Sequence, residues 1–282
     1  MEFDKTINIR DAVHEFFKED GLLRKHFPNF EYRDSQLKMA LSVIDSLEGK
    51  RHMFIEAPTG IGKSLAYLVP SILYAKKYGK KAIISTNTIN LQEQIARKDI
   101  PLLKNIFKFS FEATILKGKT NYVCPNRLRK AYENSNSLFE SDQIKSLENI
   151  FRWAKTTKDG TISDTGFQVP HDVWQNVCAE VNICNNKTCG DIKETNCFSQ
   201  IAKHNAYKSD IVILNHYLYF TLFGIASKDQ KNGYLYLNDF VIFDEGHTIE
   251  EAASEMLVPK VSREMIKYHL LRLYNEKKRK GF

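Results

Sequence analysis

An α/β domain with a parallel sheet is the fold that the sequence predicts, and three observations carry the prediction. Short apolar runs alternate with amphipathic stretches, as strand–helix units require. A glycine-rich turn, "EAPTGIGKS", separates an apolar run from an amphipathic one. A later apolar run, "FVIF", ends in two adjacent acids, Asp244 and Glu245. Between these landmarks the pattern lapses into a polar tract, so the sheet is expected to be interrupted by an insertion.

Taken in order, "SQLKMALSVIDSL" places Leu37, Leu41, Ile44 and Leu47 on one helical face. "HMFIEA" predicts a buried strand, and the helix opening at Lys63 is stopped by Gly79. "KAIIST" predicts a second strand, "NLQEQIARKDI" a helix and "EATIL" a third strand. From Gly118 to about Asn196 the chain is rich in Lys, Asn, Ser and Thr, which predicts local helices rather than sheet. Strands return at "DIVILN" and "DFVIFDE"; helices follow from about Thr248 and over "SREMIKYHLLRLYNEKKRKGF". The divisions expected are 1–117 and 201–257 for one α/β domain, 118–200 for the insertion and 258–282 for the start of a helical region.

With 282 residues, 43% hydrophobic and 27% charged, the chain has the composition of a soluble globular protein. The opening "MEFDKTINIRDAVHEFF" has early acids and no apolar core of a signal peptide. The longest uncharged run, Ile211 to Ser227, contains Asn215 and His216 and falls short of a membrane span. A cytoplasmic, reducing setting with no membrane partner is therefore expected, where an odd cysteine count points to metal or free thiols. The net charge of +7 hints at a polyanionic partner. From Lys104 to Lys130 seven basic residues face a single acid, Glu112, which is either a solvated face or a nucleic-acid surface.

The stretch Ala57, Pro58, Thr59, Gly60, Ile61, Gly62, Lys63, Ser64 has the spacing of a P-loop with alanine at the first glycine position. Its glycines let backbone N–H groups turn inward around an anion, and the following helix adds its dipole. Lys63 would neutralise β- and γ-phosphate charge and Ser64 would place a hydroxyl on Mg2+. Asp244, at the C-terminal end of an apolar strand, would hold the same Mg2+, and Glu245 would align the attacking water.

These two elements resemble motifs I and II of superfamily 2 helicases, "DEGH" being a variant of the DEAH box. Further segments resemble the DinG branch of the XPD-like iron–sulfur helicases. "EYRDSQLKMA" is similar to its Q-motif region, which implies that Arg33 and Gln36 meet the nucleotide and that Gln36 reads adenine. "STNTINLQEQI" resembles motif Ia, which implies DNA contacts at Thr86, Asn87 and Gln92. "SDIVILNHYLYF" resembles a family strand ending in N-H, with Ser209 for alanine, and "DEGHTIEEAA" implies a coupling role for His247. The resemblance runs from about Tyr32 to Ser254 in one order. It implies a RecA-like domain interrupted by an iron–sulfur insertion, ATP as cofactor, and unwinding of DNA in the 5′ to 3′ direction with single strands and duplex junctions as partners.

Four of the five cysteines lie between Cys178 and Cys197, separated by five, four and seven residues. In the DinG family one cysteine in an N-Y-x-C segment and three before the N-H strand hold a [4Fe–4S] cluster. The resemblance places Cys124, Cys184, Cys189 and Cys197 in those positions. Zinc is the rival metal, although only Cys184 and Cys189 have the close spacing of a zinc pair. Cys178 shares a helical face with Trp174, Val177 and Val181, as a small buried hydrophobe would. With Cys124 at the cluster, Lys117, Lys119 and Arg127 would meet DNA phosphates and Tyr122 would stack on a base.

Nothing in the chain resembles motif III or a second RecA-like domain. In folds of this kind the motif III strand lies between those of motifs I and II, so an incomplete sheet is expected, completed by further chain or a second polypeptide. The alternatives to a helicase motor are an ATP-gated, cluster-bearing nucleic-acid-binding module and a metal-bearing structural protein.

Overall fold

The computed structural model describes residues 4–281 apart from 5, 28, 136–138, 181–183, 185–188, 190–195, 229–238, 258–260, 262, 264–265, 267–269, 271–273 and 276–279. Its centre is a parallel sheet of β1 (Ala82–Thr86), β2 (Ala113–Ile115), β3 (Ile211–Asn215) and β4 (Phe240–Phe243), in the order β2-β3-β1-β4. Both faces are covered, so the strands read as continuous apolar runs. Ala82 and Ile84, with Ile211 and Ile213, face one core; Ile83, with Val212 and Leu214, faces the other.

The larger core is closed by α1 (Ile9–Phe17), α2 (Leu22–His26), α3 (Asp34–Glu48), α4 (Lys63–Tyr78) and, after α5 (Ile89–Gln94), by α6 (Ile100–Ile106). Asn8 caps α1 by accepting from the N–H groups of Arg10 and Asp11. Helix α4 ends on Gly79, whose φ of 62° is the left-handed turn that glycine adopts without strain. The helix predicted over "NLQEQIARKDI" is divided: α5 and α6 are joined by a π-helical turn, Ile95–Asp99.

The polar tract folds around a core of its own. Helices α7 (Pro125–Glu133), α8 (Ser141–Ala154) and α9 (His171–Val177) bury Leu128, Leu147, Ile150, Trp174 and Val177 together. Single bridges, Tyr122 to Thr161 and Val123 to Cys178, tie its ends together. α10 (Phe198–Lys208) then leads back to β3, followed by α11 (His216–Lys228) and, after β4, α12 (Ile249–Leu257).

Two predictions fail. Residues 52–57, read as a strand, form no ladder, and Phe54 is 97% exposed. A strand exists through its neighbour; β4 is the edge of the sheet, and no described strand lies beyond it to pair with this segment. The final stretch is also not one helix. Arg263, Ile266 and Leu270 are helical, but Tyr274–Asn275 pairs antiparallel with Lys280–Gly281. Among the described residues no helix is long and apolar enough to cross a membrane.

Candidate functional site

The glycine turn lies at the start of α4, and the "DEGH" turn follows β4. The parallel register puts Ser85 of β1 opposite Phe243 of β4, and the Asp244 N–H donates to the Ser85 carbonyl at 2.8 Å. That ladder delivers both acids to the C-terminal end of the sheet, toward the turn. Lys63 Nζ stands 3.4 Å from Glu245 Oε1, and both side chains retain partial access to solvent. The Tyr67 hydroxyl donates to Asp244 Oδ2 at 3.1 Å. Burial pushes the Asp244 carboxyl upward; the Tyr67 hydrogen bond opposes this, while the charge of Glu245 adds to it.

The turn itself is held in place from α3. Arg33 Nη1 donates to the Gly60 carbonyl, and Gln36 Nε2 donates to the Gly62 carbonyl at 3.0 Å. Gly62 has φ 84°, which favours glycine, and a Cβ there would also push the Gln36 amide aside. Gln36 is almost fully buried and braces the loop, where the resemblance had it reading adenine. On the acid side, Glu245 takes a left-handed backbone, φ 57°, uncommon for a residue with a Cβ. His247 Nδ1 lies 3.6 Å from Glu245 Oε2, with its ring largely in solvent.

Three residues at this site escaped sequence reasoning. Tyr67 lies one helical turn past Lys63 and so shares its face of α4. His216 is fully buried, with Nδ1 2.7 Å from Ser85 Oγ and its ring 5.7 Å from that of Phe243. Its Nε2 has no partner among the described residues, and burial pushes its pKa down. Asp99, at the end of the π turn, is buried beside α4. The N-H of "SDIVILNHYLYF" was a legible signal for His216; Tyr67 and Asp99 had none.

The residues expected on DNA are mostly turned inward. Thr86 and Gln92 are buried, and the Gln92 amide has no partner among the described residues; Asn87 is half-buried. Lys117 is buried in an ion pair with Glu93 and donates to Ser163 Oγ at 2.6 Å. The Tyr122 ring is buried too, its hydroxyl accepting from the Lys117 N–H at 3.0 Å. Arg127 donates to the carbonyls of Cys178 and Gln175 at 2.7 and 2.8 Å, closing the C-terminus of α9. Lys119 Nζ donates to the Cys184 carbonyl at 2.9 Å. A residue count along the chain registers charge but not the partner that neutralises it, which is why these lysines read as surface.

The cysteines are free thiols. Cys124, at the N-cap of α7, is buried with Cys184 and Ala179. Burial pushes the Cys124 thiol up to about 11, and neighbouring Cys184 adds to the shift. Cys197, at the N-cap of α10, is pushed up by burial and by Cys184 and Cys189. Lys119 is drawn down by burial and by Lys203, against the three thiols Cys184, Cys197 and Cys189. Cys178 stands apart, packed with Val123, Trp174 and Val177 and donating to the Gln175 carbonyl at 3.8 Å; Val181 lies outside the described residues. Among the described residues no group of three or more His, Cys, Asp or Glu has the geometry to hold a metal ion.

Several known proteins resemble this chain in sequence. The DEAD/DEAH box helicase family matches residues 38–147. The ATP-dependent DNA helicase YoaA of Haemophilus influenzae is 30% identical over 252 residues, 88% of this chain and 38% of its own length. YoaA of Escherichia coli is 35% identical over 243 residues, 85% of this chain and 36% of its own. The 3'-5' exonuclease DinG of Bacillus subtilis is 32% identical over 236 residues, 83% of this chain and 24% of its own. A solved structure, a truncated XPD, overlaps 86% of this chain and 61% of its own at 20% identity and a TM-score of 0.45. The chain thus spans between a quarter and two fifths of the length of these curated relatives. With the glycine turn and the "DEGH" acids meeting at the end of one parallel sheet, these sequence likenesses identify a RecA-like, DinG/YoaA-like superfamily 2 helicase domain of the ATP-binding kind.

Proposed function

We propose that the chain binds ATP with Mg2+ on the Lys63 loop and works as part of a DNA helicase moving 5′ to 3′. The observation that carries this reading is the 3.4 Å approach of Lys63 to Glu245, with Asp244 held beside them by Tyr67. In P-loop enzymes these groups serve a triphosphate: the lysine its charge, the aspartate its cation, the glutamate the attacking water. Here Lys63 and Glu245 hold each other. An incoming γ-phosphate would take over the lysine, freeing Glu245 to accept a proton from water. Arg33 and Gln36 keep the loop carbonyls turned away, so its N–H groups face the phosphates.

The residues fit Mg2+. Ser64 lies three residues before Tyr67 on α4, and so on its face of the helix, and Tyr67 donates to Asp244 at 3.1 Å, so the donors are hard oxygens on neighbouring elements. A bound cation would neutralise phosphate charge there.

Cys124, Cys184, Cys189 and Cys197 are the ligands proposed for a [4Fe–4S] cluster in the insertion at 118–200. The burial of Cys124 and Cys184 in one cluster supports this, as does Lys119, which donates to the Cys184 carbonyl and would offset the charge of the thiolates that such a cluster takes. A bound cluster would tie together the segments before α7, after α9 and before α10. Single-stranded DNA and duplex junctions are the proposed partners, with Asn87 at the motif Ia turn and the exposed Arg129 and Lys130 of α7 nearest to solvent.

A second reading is an ATP-gated binding module without motor activity; among the described residues β4 ends the sheet. Both readings expect binding without unwinding from the 282-residue chain alone, because a cationic finger from a second domain contributes ~10³–10⁵ in rate in related enzymes. Titration with a fluorescent ATP analogue and Mg2+ tests the shared core. Saturable binding that disappears in Lys63→Ala supports it; a wild-type chain that binds none overturns it.

A further inference from the structure

Helices α7 and α8 meet along buried stripes, Leu128 and Ala131 on one and Leu147 and Ile150 on the other. Tyr132, four residues after Leu128, and Phe151, four after Leu147, lie at the margins of those stripes. There the two rings stack, with centroids 4.5 Å apart and planes inclined by 19°. The Lys155 ammonium stands over the Phe151 ring, 4.6 Å from its centroid, where the negative face of the ring attracts it. Phe151 is thereby covered and half-buried, whereas Tyr132 is 42% exposed and ends the stack at the surface. Closing the rim of the core needs only an aliphatic chain; a flat ring presented to solvent offers a π-face as well.

Lys117, Lys119 and Arg127 are engaged within the fold. The cations near the stack are not: Arg129, Lys130, Arg152 and Lys155 are exposed, and among the described residues none of them is in an ion pair. Over 129–133 and 148–155 the acids are Glu133 and Glu148 alone, so the balance favours a polyanion. An aromatic face among unpaired cations is what a single strand of nucleic acid takes, a base on the ring and phosphates on the cations. We propose that Tyr132 is the platform for an unpaired base of single-stranded DNA, which adds a layer to the Tyr132–Phe151 stack. Arg129, one turn before Tyr132 on α7, and Lys155 serve the flanking phosphates. This rests on the DNA reading above and gives it a contact point on the insertion.

The test titrates a fluorescently labelled oligothymidylate with the full 282-residue chain as wild type, Tyr132→Leu, Tyr132→Phe and Lys155→Met. Leucine keeps an apolar cover over Phe151 and removes the flat face; phenylalanine keeps the face. The expected result is about tenfold weaker binding for Tyr132→Leu and wild-type affinity for Tyr132→Phe, with equal melting temperatures. Lys155→Met should lower the slope of log affinity against log salt by about 0.7. Photocrosslinking of an iodouracil-substituted strand, mapped by mass spectrometry, should mark Tyr132. Wild-type affinity in Tyr132→Leu, or crosslinks that avoid α7 and α8, overturn the proposal and leave the DNA reading standing. So does a Tyr132→Leu chain whose self-association changes while its affinity for the strand does not, which would assign the face to a second copy. A wild-type chain that binds no strand overturns both.

Discussion

Lys63 and Glu245, 182 residues apart in the chain, stand 3.4 Å apart in the fold. Each is the group that nucleotide chemistry would use, and each is at present the partner of the other. The start of α4 is thereby linked to the turn that follows β4.

Removing that acid's charge should therefore separate binding from turnover. Glu245→Gln is expected to bind a fluorescent ATP analogue as tightly as wild type or up to about tenfold more tightly, because one competing ion pair is gone. In any assembly that hydrolyses ATP the same change should lower kcat by about 10²-fold or more. Equilibrium titration and single-turnover hydrolysis check the two halves.

Lys117 should behave as a structural cation. Its side chain is 3% exposed, paired with Glu93 and hydrogen-bonded to Ser163. Lys117→Met would leave the Glu93 charge with only Arg97 and Ser163. A loss of about 3 kcal/mol is expected in urea denaturation. Glu93→Gln with Lys117→Met together should recover part of it. The salt dependence of DNA binding should be unmoved, whereas a phosphate contact would lower its slope by about one.

His216 gives stability a pH dependence of known sign. Burial holds its folded pKa below the ordinary value of 6.5. The unfolded chain therefore takes up the proton first as pH falls. The contribution is complete above 6.5, declines through the interval below it, and is gone at the folded pKa. Denaturation midpoints measured down from neutrality should fall more steeply in wild type than in His216→Gln.

The thiols should divide four to one. Chain produced with iron and sulfide under anaerobic conditions is expected to show broad visible absorption and about four irons per chain. Cys124→Ala, Cys184→Ala, Cys189→Ala and Cys197→Ala should each bleach it, and Cys178→Ala should not. Tight binding of one zinc by colourless protein would decide for the rival metal.

The glycine turn and the acids after β4 were legible because each is a contiguous motif whose chemistry dictates its spacing. Strands β1 to β4 were legible as apolar runs, since a sheet covered on both faces demands them. The segment 52–57 has the same apolar character and still forms no strand, because pairing depends on a neighbour that local pattern cannot supply. The inward turn of Lys117, Tyr122 and Arg127 was hidden for a related reason. Lys117 is neutralised by Glu93 of α5 and Arg127 by Glu180 after α9, contacts made only when the insertion folds back. Gln36 was placed at this loop by its motif, while its hydrogen bond to the Gly62 carbonyl is a matter of rotamer that no local pattern carries.

The exposed ribbon Met53–Phe54–Ile55 also has a practical consequence. Unpaired amides next to apolar side chains are a template for other chains, so concentrated solutions should self-associate by edge-to-edge stacking. A charged residue in place of Phe54 should keep the protein dispersed while leaving the phosphate loop intact. Light scattering against concentration would register the difference, and the same substitution would make the remaining binding measurements easier to interpret.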